Sequence, residues 1–483
     1  MTASAGSRAA AEGTAIADGT MPDTARRRAP GPRAAGLLLL LLFLVGGGAL
    51  AGLRANHHPA LSVADEFAHL DSLDKASRLR PLRTGQTVDL LTMRIESCRG
   101  IEPGGGTPPP CDGSYVARDY QVLGVNTADI HPPTYYLLTG LPARAVAALA
   151  PDNRRDEFFL ATGRVLGGVW LGLGCWVLWR AAALLAVPVA FRATAVAVVA
   201  TAPAVLRFSA IVSPDVTGVL AGALVLLAVI HHLRGEWGLV RLAAVGAVVV
   251  ALKVPNLLAV LAGGVALLAA ALTPGALPGR RDSAAADGGP RSERLRAGVV
   301  PAAVLVGAGV LSEAVWLVAR AATALPGVGP NALALAQQAN GLKTGQVTSA
   351  YAAFTPVLGA PVGTSGPLAA GHDLLLGLLS WGLLGAALAL VLLGSKSQAV
   401  GRACAWGGLT VVVVGGPFLV LATYLSQKVY VVIPPRYGAS LLPFLVIPAL
   451  VALPSGAARI CVVAASALLT LSALVLLVRT AAL

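Results

Sequence analysis

Residues 36 to 53 read GLLLLLLFLVGGGALAGL, a run without a single charge. As a helix rising 1.5 Å per residue it would be about 27 Å long, close to the roughly 30 Å hydrocarbon core of a bilayer. Arg26, Arg27, Arg28 and Arg33 precede it, so the N-terminus is expected in the cytoplasm and the residues that follow on the outer face of a plasma membrane. Ala49-Leu50-Ala51 also has the small-x-small form of a signal-peptide cleavage site, and cleavage there would leave the next segment on the same side.

The run is the first of many. The chain has 483 residues, 56% of them hydrophobic and 12% charged, with a mean hydropathy of +0.75. Such a composition excludes a water-soluble globule and implies an all-α polytopic membrane protein. Further apolar stretches occur at Phe159 to Trp179, Ala193 to Val212, Val216 to Leu233, Val240 to Leu252, Leu257 to Leu272, Val299 to Ala321, Leu374 to Leu393, Cys404 to Leu425, Ser440 to Leu453 and Cys461 to Val478. About eleven transmembrane helices are therefore expected. This assignment puts Arg180, Arg192, Arg234, Arg241, Arg280 to Arg296, Lys396, Arg402 and Arg459 on the cytoplasmic side. The net charge of +13 is then explained by cationic loops against anionic membrane lipids, and no nucleic-acid partner is implied.

Residues 1–35 and the basic loop 274–297, in particular Pro274 to Gly289, have compositions that favour disorder. Two large extracytoplasmic segments remain, 54–158 and 325–371; the latter holds Gln337, Gln338, Asn340 and Lys343, either acceptor-binding groups or a plain connector. Tyr135 to Leu149 is apolar, but counting it as a span would invert every later loop, so a surface helix is expected there. Cys98 and Cys111 share the first segment, where an oxidising exterior permits a disulfide; without a second thiol pair a zinc site is disfavoured.

The same segment opens with Asp65-Glu66 and His69 and closes with His131-Pro132-Pro133-Thr134-Tyr135-Tyr136. Ionisable residues also recur near the outer ends of the spans: Arg164, Arg207, Asp215, Lys253, Glu313, Arg320 and Arg436. Charges at membrane depth usually face a partner or a wet cavity, so this set points to a pocket for an anionic, hydroxyl-bearing ligand. Each has a plainer reading. Asp65 and Glu66 could cap a helix, and Tyr135 and Tyr136 could be interfacial anchors. Asp215 and Lys253 could form a structural ion pair, and Arg436 could snorkel. Glu313, Arg207 and Arg320 are expected to partner one another.

Asp65-Glu66-Phe67-Ala68-His69, His131-Pro132-Pro133-Thr134-Tyr135-Tyr136, Ser213-Pro214-Asp215, Leu252-Lys253-Val254-Pro255 and Arg436-Tyr437 occur in an order and spacing that resembles the GT-C integral-membrane glycosyltransferases, particularly bacterial proteins related to protein O-mannosyltransferases. The resemblance runs along most of 36–483 and implies a GT-C-like transmembrane domain. It further implies a sugar donor on a polyprenyl phosphate, a glycan or protein acceptor of the cell envelope, and Asp65 as catalytic base with Glu66 beside it. Lys253, Arg436, Arg164 and His131 become candidate ligands of the donor phosphate, with His69 and Asp215 in support. No metal is expected, although Asp65, Glu66 and Asp215 are the groups that would ligate a divalent cation. A transporter or flippase of lipid-linked sugar, or a noncatalytic envelope-assembly protein, would share much of this pattern.

Overall fold

The computed structural model describes residues 32–80, 82–277, 291–326, 342–359, 366–427, 430, 432–453 and 456–479. Arg26, Arg27 and Arg28, the stretch 278–290, and Gln337, Gln338 and Asn340 lie outside the described residues. Within them the regular elements are helices, and the strand-like pairings are the isolated bridges Leu61 to Ile101 and Thr87 to Val125.

After α1 (Pro32–His57) comes a polar region with α2 (Glu66–Ser77), α3 (Leu90–Arg99) and α4 (Thr134–Ala147). The apolar helices follow: α5 (Arg155–Leu184), α6 (Val189–Thr201), α7 (Pro203–Ser209), α8 (Thr217–Leu233), α9 (Leu239–Leu252), α10 (Leu257–Leu272) and α11 (Arg291–Thr323). A short α12 (Thr344–Ser349) leads to α13 (Pro367–Leu393), α14 (Ala399–Gln427), α15 (Leu442–Ala452) and α16 (Ala457–Arg479).

Nine helical stretches among the described residues are long and apolar enough to cross a membrane, or ten if α6 and α7 count as one span bent by 65°. This is the architecture of a multi-pass membrane protein. Two of the eleven expected spans account for the difference. In Ala193 to Val212, Pro203 cannot donate a backbone hydrogen bond and restricts Ala202 to extended geometry, so the chain breaks there and restarts as α7. In Val240 to Leu252, α9 has 14 residues, about 21 Å of helix. It still returns the chain to the end of the bundle where α8 begins, because Lys253 meets Asp215.

Lipid offers little hydrophobic drive between apolar helices, so close approach depends on small residues. Helix α1 lies on α5 in this way: a Cβ on Gly168 would stand 2.1 Å from Gly47 O, and one on Gly172 would stand 2.1 Å from Phe43 O. Gly168→Val should push α1 off α5 and cost about 1–3 kcal/mol of overpacking. A thermal unfolding midpoint in detergent several degrees below wild type is expected; an unchanged midpoint would contradict this contact.

The chain path gathers one set of helix ends around the polar region: the C-terminal ends of α1, α7, α9 and α11, and the N-terminal ends of α5, α8, α10 and α15. Arg180, Arg192, Arg234, Arg241, Lys396, Arg402 and Arg459 belong to the opposite ends. Several of them lie over aromatic rings there, as Arg180 over Trp176, Arg192 over Trp179, Arg241 over Trp237 and Arg459 over Phe191.

Candidate functional site

Local sequence aims three of the charged side chains at one place. Ser213 accepts a hydrogen bond from the Asp215 backbone N–H, and Pro214 starts the helical turn, which sets Asp215 at the head of α8. Pro255, which has no N–H to continue the helix, follows the end of α9 at Leu252, and Lys253 is extended between α9 and the 3-10 turn Val254–Asn256. Pro434 and Pro435 begin a 3-10 turn, Pro435–Leu441, that carries Arg436 and Tyr437; the absence of a side chain at Gly438 lets Phe354 pack beneath it.

The three meet Asp65. Arg436 Nη2 donates to Asp65 Oδ2 at 2.8 Å, and Arg436 Nε lies 3.3 Å from Asp215 Oδ2. Lys253 Nζ pairs with Asp215 Oδ1, and Ser213 Oγ donates to Oδ2 of the same carboxylate at 2.9 Å. Aromatic rings floor the cluster. Lys253 Nζ is 4.5 Å from the centroid of Tyr437, and the Arg436 guanidinium is 5.1 Å from that of Phe208. Asp215 and Lys253 are buried, whereas the Asp65 side chain is 54% exposed.

Asp65 occupies the N-cap position of α2, but its side chain makes no capping hydrogen bond. Its backbone is left-handed, with φ at 65°, a conformation that aspartate and asparagine tolerate better than most residues. The geometry turns the carboxylate outward to Arg436 rather than back onto the helix, so capping is not what this side chain does.

Glu66 and Arg164 come together away from the exposed carboxylate. Arg164 Nε and Nη2 donate to the two Glu66 oxygens at 2.8 and 2.7 Å. The same oxygens accept from the backbone N–H groups of Val212 and Ser62. Arg164 spends its remaining hydrogens on the carbonyls of His58, Pro59 and Ala60. With side chains 0% and 2% exposed, the pair ties α2, α5 and the loop before α8 together.

His69 and His131 line the inner wall. His69 Nδ1 is 2.7 Å from Tyr136 Oη, and the two imidazole centroids are 5.7 Å apart. Tyr135 and Tyr136 are buried, so they belong to this wall and are not interfacial anchors. Burial lowers the pKa of both histidines, that of His69 to about 4 from the ordinary 6.5. A neutral buried histidine stabilises the fold fully above about pH 6.5, and that contribution is lost as the pH falls toward 4. The His69→Gln variant should therefore begin acid unfolding at a lower pH than wild type; coincident acid transitions would count against this assignment.

Helix α2 is polar yet buried along its whole length. Asp71 pairs with Lys75 at 2.5 Å and accepts from Asn126 Nδ2 at 2.6 Å, while Asp74 holds Arg78 and Arg144. Nothing in the sequence distinguished these residues from a solvated helix face. Of the remaining outer charges, Arg207 pairs with Glu102 and Arg320 with Asp129, while Glu313, on the same helix as Arg320, feels its charge without an ion pair to it among the described residues. Cys98 and Cys111 form the expected disulfide, with their Cα atoms 4.5 Å apart.

Among the described residues no three His, Cys, Asp or Glu side chains stand close enough to hold a metal ion. Asp65 and Asp215 are bridged by a guanidinium, and Glu66 is committed to Arg164. Comparison of the chain with family models, curated proteins and solved structures gives no match.

Proposed function

We propose that the protein is a glycosyltransferase that moves a sugar from a polyprenyl-phosphate donor to a glycan or protein acceptor at the outer face of the plasma membrane. The observation that carries this reading is the water-accessible Asp65 carboxylate held against Arg436, beside the buried Asp215 and Lys253. Two acids and two cations within reach of each other, with one of the acids open to water, suit a reaction that removes a proton at one atom and develops negative charge at another.

In this mechanism the acceptor hydroxyl gives its proton to Asp65 as its oxygen attacks the anomeric carbon. The bond from that carbon to the phosphate oxygen breaks, and its electron pair stays on the departing polyprenyl phosphate. Arg436 and Lys253 stabilise that anion, with neutral His131, whose Nδ1 has no hydrogen-bond partner, as a further donor. Before the donor binds, Arg436 is spent on Asp65; an arriving phosphate competes for the guanidinium and frees the carboxylate to act as a base. Glu66 and Arg164, proposed from sequence to touch substrate, instead hold the loop that presents Asp65. The basic connectors at the far ends of the helices support an extracytoplasmic site, since such residues favour the cytoplasm.

The test is reconstitution in proteoliposomes with a labelled sugar on polyprenyl phosphate and an envelope acceptor fraction. Release of free polyprenyl phosphate with transfer of the label is expected. Passage of the intact labelled lipid across the bilayer without bond cleavage would replace this reading with that of a transporter.

A further inference from the structure

The turn Pro435–Leu441, which carries Arg436, is held on two faces by contacts that leave no room for a side chain. On one face, a Cβ on Gly222 of α8 would overlap Ser440 O, and one on Gly218 would stand 3.3 Å from the Ala439 Cβ. On another, a Cβ on Gly438 would stand 3.0 Å from Phe354 Cδ1. Phe354 is buried, and the segment it belongs to, 342–359, is itself wedged into the bundle. A Cβ on Gly415 of α14 would stand 3.3 Å from Phe354 Cε2, and one on Gly416 would overlap Ala350 O. Two hydrogen bonds fix the far end of the segment: the Leu358 N–H donates to Ser380 Oγ of α13 at 3.4 Å, and the Ala204 N–H at the start of α7 donates to Leu358 O at 3.3 Å.

Ala204 lies one helical turn before Phe208, whose ring is 5.1 Å from the Arg436 guanidinium. Both supports of that guanidinium, the turn that bears it and the ring beside it, therefore rest on residues 350–359. Close contacts through backbone and one stiff ring pass a displacement on instead of absorbing it. Arg436 is also where a small displacement counts, because it reaches Asp65 Oδ2 at 2.8 Å and lies 3.3 Å from Asp215 Oδ2 at once, and hydrogen bonds weaken steeply away from good geometry. We propose that Phe354 is a positioning residue that sets, through the bare backbone of Gly438, where the Arg436 guanidinium stands between Asp65 and Asp215. The role depends on the proposed reaction, since Arg436 is there a ligand of the donor phosphate.

Gly438→Ala places a methyl group against the Phe354 ring, and Phe354→Leu trims the side chain that the methyl would meet. Each variant of the full chain, and the two together, would be compared with wild type for donor KM, acceptor KM and kcat in proteoliposomes and for thermal unfolding in detergent. Gly438→Ala should raise the donor KM about tenfold, the scale of one charge-assisted hydrogen bond, with the acceptor KM and the unfolding midpoint close to wild type. Phe354→Leu, which leaves the turn without its support, should shift the donor KM in the same direction. The double variant should recover most of the Gly438→Ala rise, because the smaller side chain makes room for the methyl. A loss of folded protein alone lowers kcat and leaves KM as it was, so an unchanged donor KM in either folded single variant, or a double variant no better than Gly438→Ala, would overturn the proposal; if one single variant does not fold, the other decides. Retention of polyprenyl phosphate by the same proteins in native mass spectrometry needs no turnover. Wild type that retains this lipid while Gly438→Ala releases it, with no sugar transferred by either, would sink the proposed reaction and keep the positioning role. Equal retention by the two would overturn the positioning role and leave the reaction standing.

Discussion

Arg164→Met is expected to be the most destabilising single change in the protein. It would leave Glu66, which has no exposed surface, as an unpaired carboxylate among apolar helices. Breaking a buried pair from one side costs about 3–5 kcal/mol, comparable to the whole stability of many domains. Little folded protein should be recovered in detergent, judged by gel filtration and thermal unfolding. The double variant Glu66→Leu with Arg164→Met removes both charges together and should regain most of the loss, because a buried pair contributes little relative to an apolar replacement. That variant also separates two roles for Glu66. Transfer activity should return with the fold if Glu66 only holds the loop, and stay absent if Glu66 acts on substrate.

The second large effect is on turnover. Asp65→Asn keeps the shape of the side chain and its tolerance of the left-handed backbone, but removes the basic lone pair. General-base catalysis contributes about 10²–10⁴ in rate, so a fall of that size in sugar transfer is expected with the unfolding midpoint nearly unchanged. The exposed position of the carboxylate makes a surface pair with Arg436 worth little to stability. Normal turnover in a folded Asp65→Asn protein would remove the base from the mechanism. Equal losses of turnover and stability would point to a structural role.

Much of the frame was legible in the chain because membrane helices announce themselves by apolar runs and cationic connectors. The positions of Asp215, Lys253 and Arg436 near helix ends also told that they share one end of the bundle. Length and rotation were harder to read. Hydropathy placed Val240 to Leu252 within a residue of α9 but counted that short helix as a full span, and it did not show that the chain bends by 65° between α6 and α7 at Pro203. Partner choice was hidden for a related reason. The chain places Glu66 next to Asp65, but Asp65 is the left-handed N-cap residue and Glu66 the first residue of α2, so one faces water and Arg436 while the other is buried against Arg164. The burial of α2 left no trace in its composition, since its Asp71, Asp74 and Lys75 are satisfied by residues such as Asn126 and Arg144 that lie far along the chain. Phe208 was equally silent, and Tyr136 and Tyr437, although inside the motifs quoted above, had no assigned role until Tyr136 was found against His69 and Tyr437 under Lys253.

Sidedness is the most direct test, because a lipid-phosphate-dependent transfer at the outer face requires Asp65 to face the outside. A single cysteine would be placed at Asp65 or at Ser397, which lies in the turn before α14 at the far end of the bundle, in a background with Cys461→Ser to silence the exposed thiol. Intact cells would then be treated with a membrane-impermeant maleimide. Labelling at position 65 in intact cells, and at position 397 only after permeabilisation, is the expected result; the reverse pattern would contradict the proposed function at its base.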